Sequence, residues 1–194
     1  MFSKKFLTSI VLPIVVIFLL ASAGYMFIYA NNPYMELTSF FMTLMIGNRT
    51  GQPAPDFVGI ASWINSDGVS IQDLRGQVVI VDFWTYSCVN CQRDLPYVVD
   101  WYKKYHDQGL EVVGVHTPEF RFEQKRENVE QEVAKYGIDY PVALDNEYKT
   151  WRAYHNHYWP AKYIIDKQGN IIELKIGEGS YLEIEALIQQ LLAE

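Results

Sequence analysis

Apolar positions along the chain change their period several times, and each change marks an element. Residues 6–30 are a run of 25 without a charge, broken only by Thr8, Ser9, Ser22, Pro13 and Gly24. At about 1.5 Å per helical residue such a run is long enough to cross a bilayer core of roughly 30 Å. A second apolar patch, residues 37–46, is too short to span. Residues 51–57 are punctuated by Pro53 and Pro55, which excludes a helix or a central strand there. A short hairpin is expected next, turning at Asn65, Ser66, Asp67 and Gly68. Residues 78–83 form a continuous, mostly β-branched run, the pattern of a strand buried on both faces.

Beyond residue 91 the pattern becomes helical. Leu95, Val98, Val99 and Tyr102 recur at i, i+3, i+4 and i+7, with Pro96 inside the pattern predicting a kink near Gln92. Residues 110–115 predict a second buried strand. Phe122, Val129, Val133 and Tyr136 predict a helix stopped by Gly137. Residues 141–144 predict a third strand and residues 147–154 a short helix. The segments 161–166 and 171–176, joined by Lys167, Gln168, Gly169 and Asn170, predict an antiparallel hairpin. Ser180 and Glu183 have capping-box spacing before a last helix whose apolar face is Ile184, Leu187, Ile188, Leu191 and Leu192. Strands alternating with helices imply an α/β domain with a parallel sheet core.

Length and composition suit one such domain with an appendage, since 49% of the 194 residues are hydrophobic. The expected division is a tip and membrane anchor over residues 1–30, a linker over 31–50 and the α/β domain over 51–194. Lys4 and Lys5 precede the apolar run and the next charge is Glu36, so the positive-inside rule puts the domain on the extracytoplasmic side. Ala21, Ser22 and Ala23 also fit a cleavage site, which leaves open a cleaved signal peptide and a soluble exported domain. The net charge is −7, and beyond residue 30 fourteen basic residues face twenty-three acidic ones. That balance argues against nucleic-acid binding, which uses basic clusters.

Cys88 and Cys91 are the only cysteines. Two intervening residues also suit zinc, but a structural zinc site usually draws on a second pair, and there is none. A dithiol is the first reading. If a strand ends near Trp84 and a helix begins near Cys88, unpaired N–H groups and the helix dipole stabilise a Cys88 thiolate, the nucleophile of thiol-disulfide exchange. Asp82 sits within the buried strand leading to the pair. Desolvation should raise its pKa, and it is placed to pass protons through a water to Cys91, which must lose one to resolve a mixed disulfide.

The order of elements, with the C-x-x-C at a strand-to-helix junction and Pro160 before a hairpin, resembles the thioredoxin fold over residues 51–194. The segment Ala54, Pro55, Asp56 and Phe57 is similar to membrane-anchored TlpA-like and redoxin-type members. The string from Trp84 to Cys91, with His116, Thr117, Pro118, Glu119 and Phe120 further on, looks closer to the thioredoxin-like domain of DipZ proteins. In that family the first cysteine attacks, the second resolves and a cis-proline faces them. The resemblance implies those roles for Cys88, Cys91 and Pro160, matches Asp82 to the buried acid, and implies no cofactor beyond the redox-active disulfide. Val89 and Asn90 stand where Gly and Pro are commoner, which shifts the redox potential.

Val89 and Asn90, with Trp84 and Trp159 flanking the dithiol, are the expected substrate contacts. The expected partners are disulfides or thiols of exported proteins or apocytochromes, with a CcdA-type membrane protein as electron donor. Glu119 and Asp94 are expected to be solvated surface carboxylates. Two other functions stay open. One is a copper or zinc carrier using Cys88, Cys91 and His155 or His157, because soft thiolates suit Cu(I). The other is a thiol peroxidase, suggested by residues 54–57, although the peroxidatic surroundings of the cysteine are missing.

Overall fold

The structure is a computed structural model that describes residues 50–194. The expected anchor over residues 6–30, and the linker of 31–50 apart from Thr50, lie outside the described residues. Among the described residues no helix is long and apolar enough to cross a membrane.

The elements run β1 (Ser62–Ile64), β2 (Val78–Trp84), α1 (Val89–Tyr105), β3 (Leu110–His116), α2 (Arg126–Tyr136), β4 (Val142–Leu144), α3 (Lys149–Ala153), β5 (Ala161–Ile165), β6 (Ile171–Ile176) and α4 (Tyr181–Ala193). They build one six-stranded mixed sheet in the order β1-β4-β3-β2-β5-β6. Strands β2, β3 and β4 are parallel, while β1, β5 and β6 run antiparallel to their neighbours. All seven residues of β2 are buried, as its unbroken apolar run requires at the centre of a sheet covered on both faces.

The two-residue period of β2 divides the core. Val78, Ile80 and Trp84 face a layer of Leu95 and Val98 from α1, Val129 and Val133 from α2, and Ile184 and Ile188 from α4. Val79, Val81 and Phe83 face Trp151, Tyr154 and the turn residues Ile71 and Leu74. Asp82 shares the parity of Ile80 and Trp84 and so points at the layer that contains α1. Gly114, opposite Asp82 on β3, leaves room for that layer. A Cβ there would lie 3.0 Å from Trp84 Nε1 and 3.1 Å from a ring carbon of Tyr140.

Local departures from the expected elements have identifiable causes. No hairpin forms around residues 65–68, because β1 pairs instead with β4. Asn65 Nδ2 helps to hold it there, donating to the carbonyls of Ile138 at 2.8 Å and Tyr140 at 3.2 Å. Phe122 does not belong to α2. It lies in a separate 3-10 turn, Arg121–Gln124, divided from α2 by the extended Lys125. The Ser180–Glu183 capping box is also absent. Ser180 is left-handed at φ 53° with no side-chain cap, and Glu183 pairs with Lys175 at 3.4 Å. Helix α1 continues without interruption through Pro96, and α2 ends at a left-handed Gly137 as expected.

Replacing Gly114 by Val should destabilise the domain by about 1–3 kcal/mol, because Trp84 and Tyr140 must move to admit the side chain. Urea unfolding checks this, and an unchanged midpoint would show that the layer yields freely.

Candidate functional site

Strand β2 ends at Trp84, and four residues later Cys88 is the N-cap of α1, in extended conformation at φ −69° and ψ 114°. Its sulfur takes the place of the usual capping oxygen and accepts a hydrogen bond from the Cys91 backbone N at 3.3 Å. Cys88 is half-buried, whereas Cys91 is 1% exposed. This difference in exposure separates the two thiols chemically. Cys88 is brought down to about 7, chiefly by a hydrogen bond from the Cys91 side chain, with the backbone N–H groups of Cys91 and Asn90 helping against burial and the charge of Glu119. Burial pushes the Cys91 thiol far above its ordinary value, and the neighbouring Cys88 and Asp82 push it the same way. Near neutral pH one sulfur is therefore partly ionised and the other keeps its proton.

A buried charge cluster lies behind the pair. Asp82 is opposite Lys162 in the β2/β5 register, so the two side chains share the face that α1 covers. Asp94, one turn beyond Cys91, meets them there, with Lys162 Nζ 2.5 Å from Asp94 Oδ2. None of the three is more than 1% exposed. Asp94 is thus not the surface carboxylate that was expected. Helix α1 turns it inward onto a lysine whose strand position gave no sign of a partner in α1. Asp82 is raised to about 7, first by burial, then by Asp94 and Cys88, with the Lys162 cation opposing. Burial also raises Asp94, against the pull of Lys162 and a hydrogen bond from Tyr181.

The connection after β3 forms the other wall. Glu123 is fully buried. Its Oε1 accepts from Ser87 Oγ at 2.7 Å and Ser87 N at 3.3 Å, and its Oε2 accepts from Glu119 N at 2.6 Å and Phe120 N at 2.7 Å. Burial alone would raise its pKa, but the hydrogen bonds from Ser87, Thr85 and Phe120 outweigh it and the net shift is downward. An ionised carboxylate thereby ties the loop preceding Cys88 to the loop following β3. His116 lies under the same loop, its Nε2 3.3 Å from Thr85 Oγ1 and its ring stacked 5.7 Å from that of Tyr86. Burial lowers His116 to about 4, so it is neutral at physiological pH.

Pro160 is buried, and the Trp159–Pro160 peptide bond is cis. Because Ala161 pairs with Phe83, this bond lies at the sheet end where β2 delivers Cys88. Trp159 is half-buried, and its Nε1 donates to the Thr117 carbonyl at 3.0 Å. Val89 is 57% exposed and Asn90 is exposed too, so both are open to a partner. Trp84 is not. It is fully buried with its ring against His116, and it supports the site from the core where a contact surface was expected. Glu119 is exposed, as expected, and so are His155 and His157. Among the described residues no three His, Cys, Asp or Glu side chains gather as a metal site.

Lys162, Glu123 and His116 also belong to the site, beyond the residues expected from the sequence. For Lys162 a signal existed, a lysine at the inward parity of a buried strand. Nothing in the sequence connects Glu123 to Ser87, 36 residues earlier.

The AhpC/TSA family model matches residues 50–174. Protein DipZ of Mycobacterium bovis is 53% identical over 142 residues, which are 72% of this chain and 20% of that protein. The chain thus spans about a fifth of that relative's length. Thiol-disulfide oxidoreductase YkuV of Bacillus subtilis is 29% identical over 74% of this chain and 96% of its own length. The solution structure of a thioredoxin-like protein in the oxidised form superposes with a TM-score of 0.67 at 30% identity, covering 73% of this chain and 95% of that one.

Two outcomes are expected. The rate of alkylation of the reduced protein by iodoacetamide should rise with pH around a midpoint near 7, with one thiol modified. Equal modification of both thiols would show that Cys91 is not shielded. In the unfolded chain a histidine takes a proton below about 6.5, whereas folded His116 stays neutral down to about 4. The unfolded state therefore binds more protons in that window, and His116 should lower stability by about 3 kcal/mol as pH falls through it. In urea unfolding, the stability lost by the wild type between pH 7.5 and 4 should exceed that lost by His116→Gln by this amount; equal losses would place the titration elsewhere.

Proposed function

The chain belongs to the AhpC/TSA family, and on that premise we propose that it is an extracytoplasmic thiol-disulfide oxidoreductase in which Cys88 attacks and Cys91 resolves. The thiol-disulfide oxidoreductase activity and the thioredoxin-like fold are those of its relatives and structural neighbours. The observation that carries the assignment of roles is the unequal pair, one sulfur half-exposed at a helix N-cap and the other buried and protonated.

In the proposed cycle the Cys88 thiolate attacks one sulfur of a partner disulfide. The partner's S–S bond breaks, its other sulfur leaves and takes up a proton, and a mixed disulfide forms. Cys91 then gives its proton to the Asp82 carboxylate and attacks the Cys88 sulfur. The partner's remaining sulfur departs reduced, and Cys88 and Cys91 are left as a disulfide. Asp82 suits the acceptor role because its pKa of about 7 allows it to take and release a proton near neutrality. Once Cys91 is a thiolate, a proton on Asp82 removes a negative charge that would otherwise oppose it. The dithiol carries both electrons, so no further redox group is needed.

Return to the reduced form requires two electrons and two protons from a dithiol donor, for which a CcdA-type membrane protein is our assignment. The charge-free run at residues 6–30, after Lys4 and Lys5, supports an anchor that holds the domain outside the cytoplasm. Substrates are then disulfides of exported proteins or apocytochromes. Tethering to the membrane would raise the effective concentration of the domain near a membrane donor.

The roles are separable by trapping. In Cys91→Ala, incubation with a disulfide-bearing protein should accumulate a mixed disulfide visible on a non-reducing gel, and the additional substitution Cys88→Ala should abolish it. Equal trapping through either cysteine alone would remove the assignment of attacker and resolver.

A further inference from the structure

Eight large apolar or aromatic residues are notably exposed among the described residues, and five of them, Val89, Phe120, Phe122, Tyr158 and Ile176, belong to one end of the sheet. It is the end where β2 and β3 finish and β5 begins, and where Cys88 stands. Single exposed apolar residues are ordinary, but their concentration around a reactive group marks a contact surface. Phe120 and Phe122 are its most ordered part. They are 50% and 51% exposed, and their rings stack at 5.5 Å with only 5° between the planes.

The backbone beneath these rings is held at several points. Glu123 takes the N–H of Phe120 on one oxygen and Ser87 on the other. The Tyr86 hydroxyl donates to the Phe122 carbonyl at 3.2 Å, and Asn128 Nδ2 donates to the same carbonyl at 3.0 Å. The Tyr86 ring lies 6.1 Å from that of Phe122. The exposed pair is therefore joined to the two residues that precede Cys88, directly to Tyr86 and through Glu123 to Ser87. Preorganisation of this kind reduces what must be ordered when a partner arrives.

We propose that Phe120 and Phe122 form a docking ledge for an apolar or aromatic side chain that flanks the reacting cysteine of a polypeptide disulfide. The proposal rests on Cys88 being the attacking sulfur, since the mixed disulfide then fixes the partner's chain over the sheet end that carries both Cys88 and the rings. A small disulfide has no neighbouring residues to lay on the ledge. The exposed charges beside the rings are mixed, Glu119 and Arg121 of opposite sign, Lys125 next to them and Arg126 paired with Glu130, so apolar contact and not charge is the basis of selection.

The test uses the reduced protein and three probes. Two are synthetic peptides with a single cysteine in mixed disulfide with thionitrobenzoate, flanked on both sides by Leu and Phe in one and by Ser in the other. The third is glutathione disulfide. Second-order rate constants should favour the Leu/Phe peptide by about tenfold, the factor that accompanies burial of roughly half a phenylalanine ring. In Phe120→Ser/Phe122→Ser the preference should vanish, while the glutathione disulfide rate stays within about twofold of the wild type, well under the tenfold effect.

Equal wild-type rates for the two peptides, or a preference that survives in the double variant, overturns the ledge. An equal loss with glutathione disulfide shows that the substitutions disturb the Cys88 loop, and also overturns it. A wild-type dimer or vesicle binding that the double variant abolishes reassigns the surface to a second copy or to lipid. Failure of the wild type with all three probes overturns the exchange reading itself and the ledge with it.

Discussion

A helix must begin somewhere with N–H groups that lack partners, and here the atom that meets the first turn is a sulfur. Because Cys88 caps α1, its thiol lies where positive partial charge accumulates, and Cys91 is carried by the same turn onto the covered side of the helix. The two thiols share one chain segment yet experience opposite solvation. Almost every other feature of this end of the molecule serves that difference. Strand β2 fixes where the helix starts, and its neighbours β3 and β5 bring the His116 and Trp159–Pro160 segments up on either side.

The Cys91 thiol is buried and keeps its proton, and a layer of charged groups lies behind it. The buried layer beneath Cys91 holds two carboxylates and one ammonium, an arrangement that is expensive to desolvate and adds little net stability. Its value lies in titration. A single acid in this position would be driven strongly toward the neutral form, and a single lysine would be driven to lose its charge. Together they leave Asp82 poised near 7, because the Lys162 cation opposes what burial and Asp94 impose. The result is a buried carboxyl group that changes protonation state near neutrality.

Glu123 solves a different problem. The loop from Thr85 to Ser87 has to be rigid enough to aim a sulfur, yet loops carry N–H groups that no strand satisfies. A buried carboxylate accepts several of them at once, from two loops, and remains ionised through the number of its donors. The same carboxylate accepts the Phe120 N–H, so the loop before Cys88 and the backbone of the exposed aromatic pair share one anchor.

Local pattern was sufficient for much of this architecture. The buried β2 run, the helical spacing after Cys91, the Gly137 stop and the hairpin of β5 and β6 depend on side-chain periodicity and turn chemistry within a few residues, and those are written directly in the chain. The dithiol and the buried Asp82 were legible for the same reason. What tertiary structure alone decided are the long-range pairings. Whether β1 joins a hairpin or the edge of β4, whether Asp94 faces water or Lys162, and whether Trp84 is contact surface or core all depend on which element packs on which face. Ser87 and Glu123 have no local relation at all. A one-dimensional pattern states which positions are apolar, but only the assembled sheet determines which polar groups are brought within hydrogen-bonding distance, because that distance is set by strand register and helix rotation together.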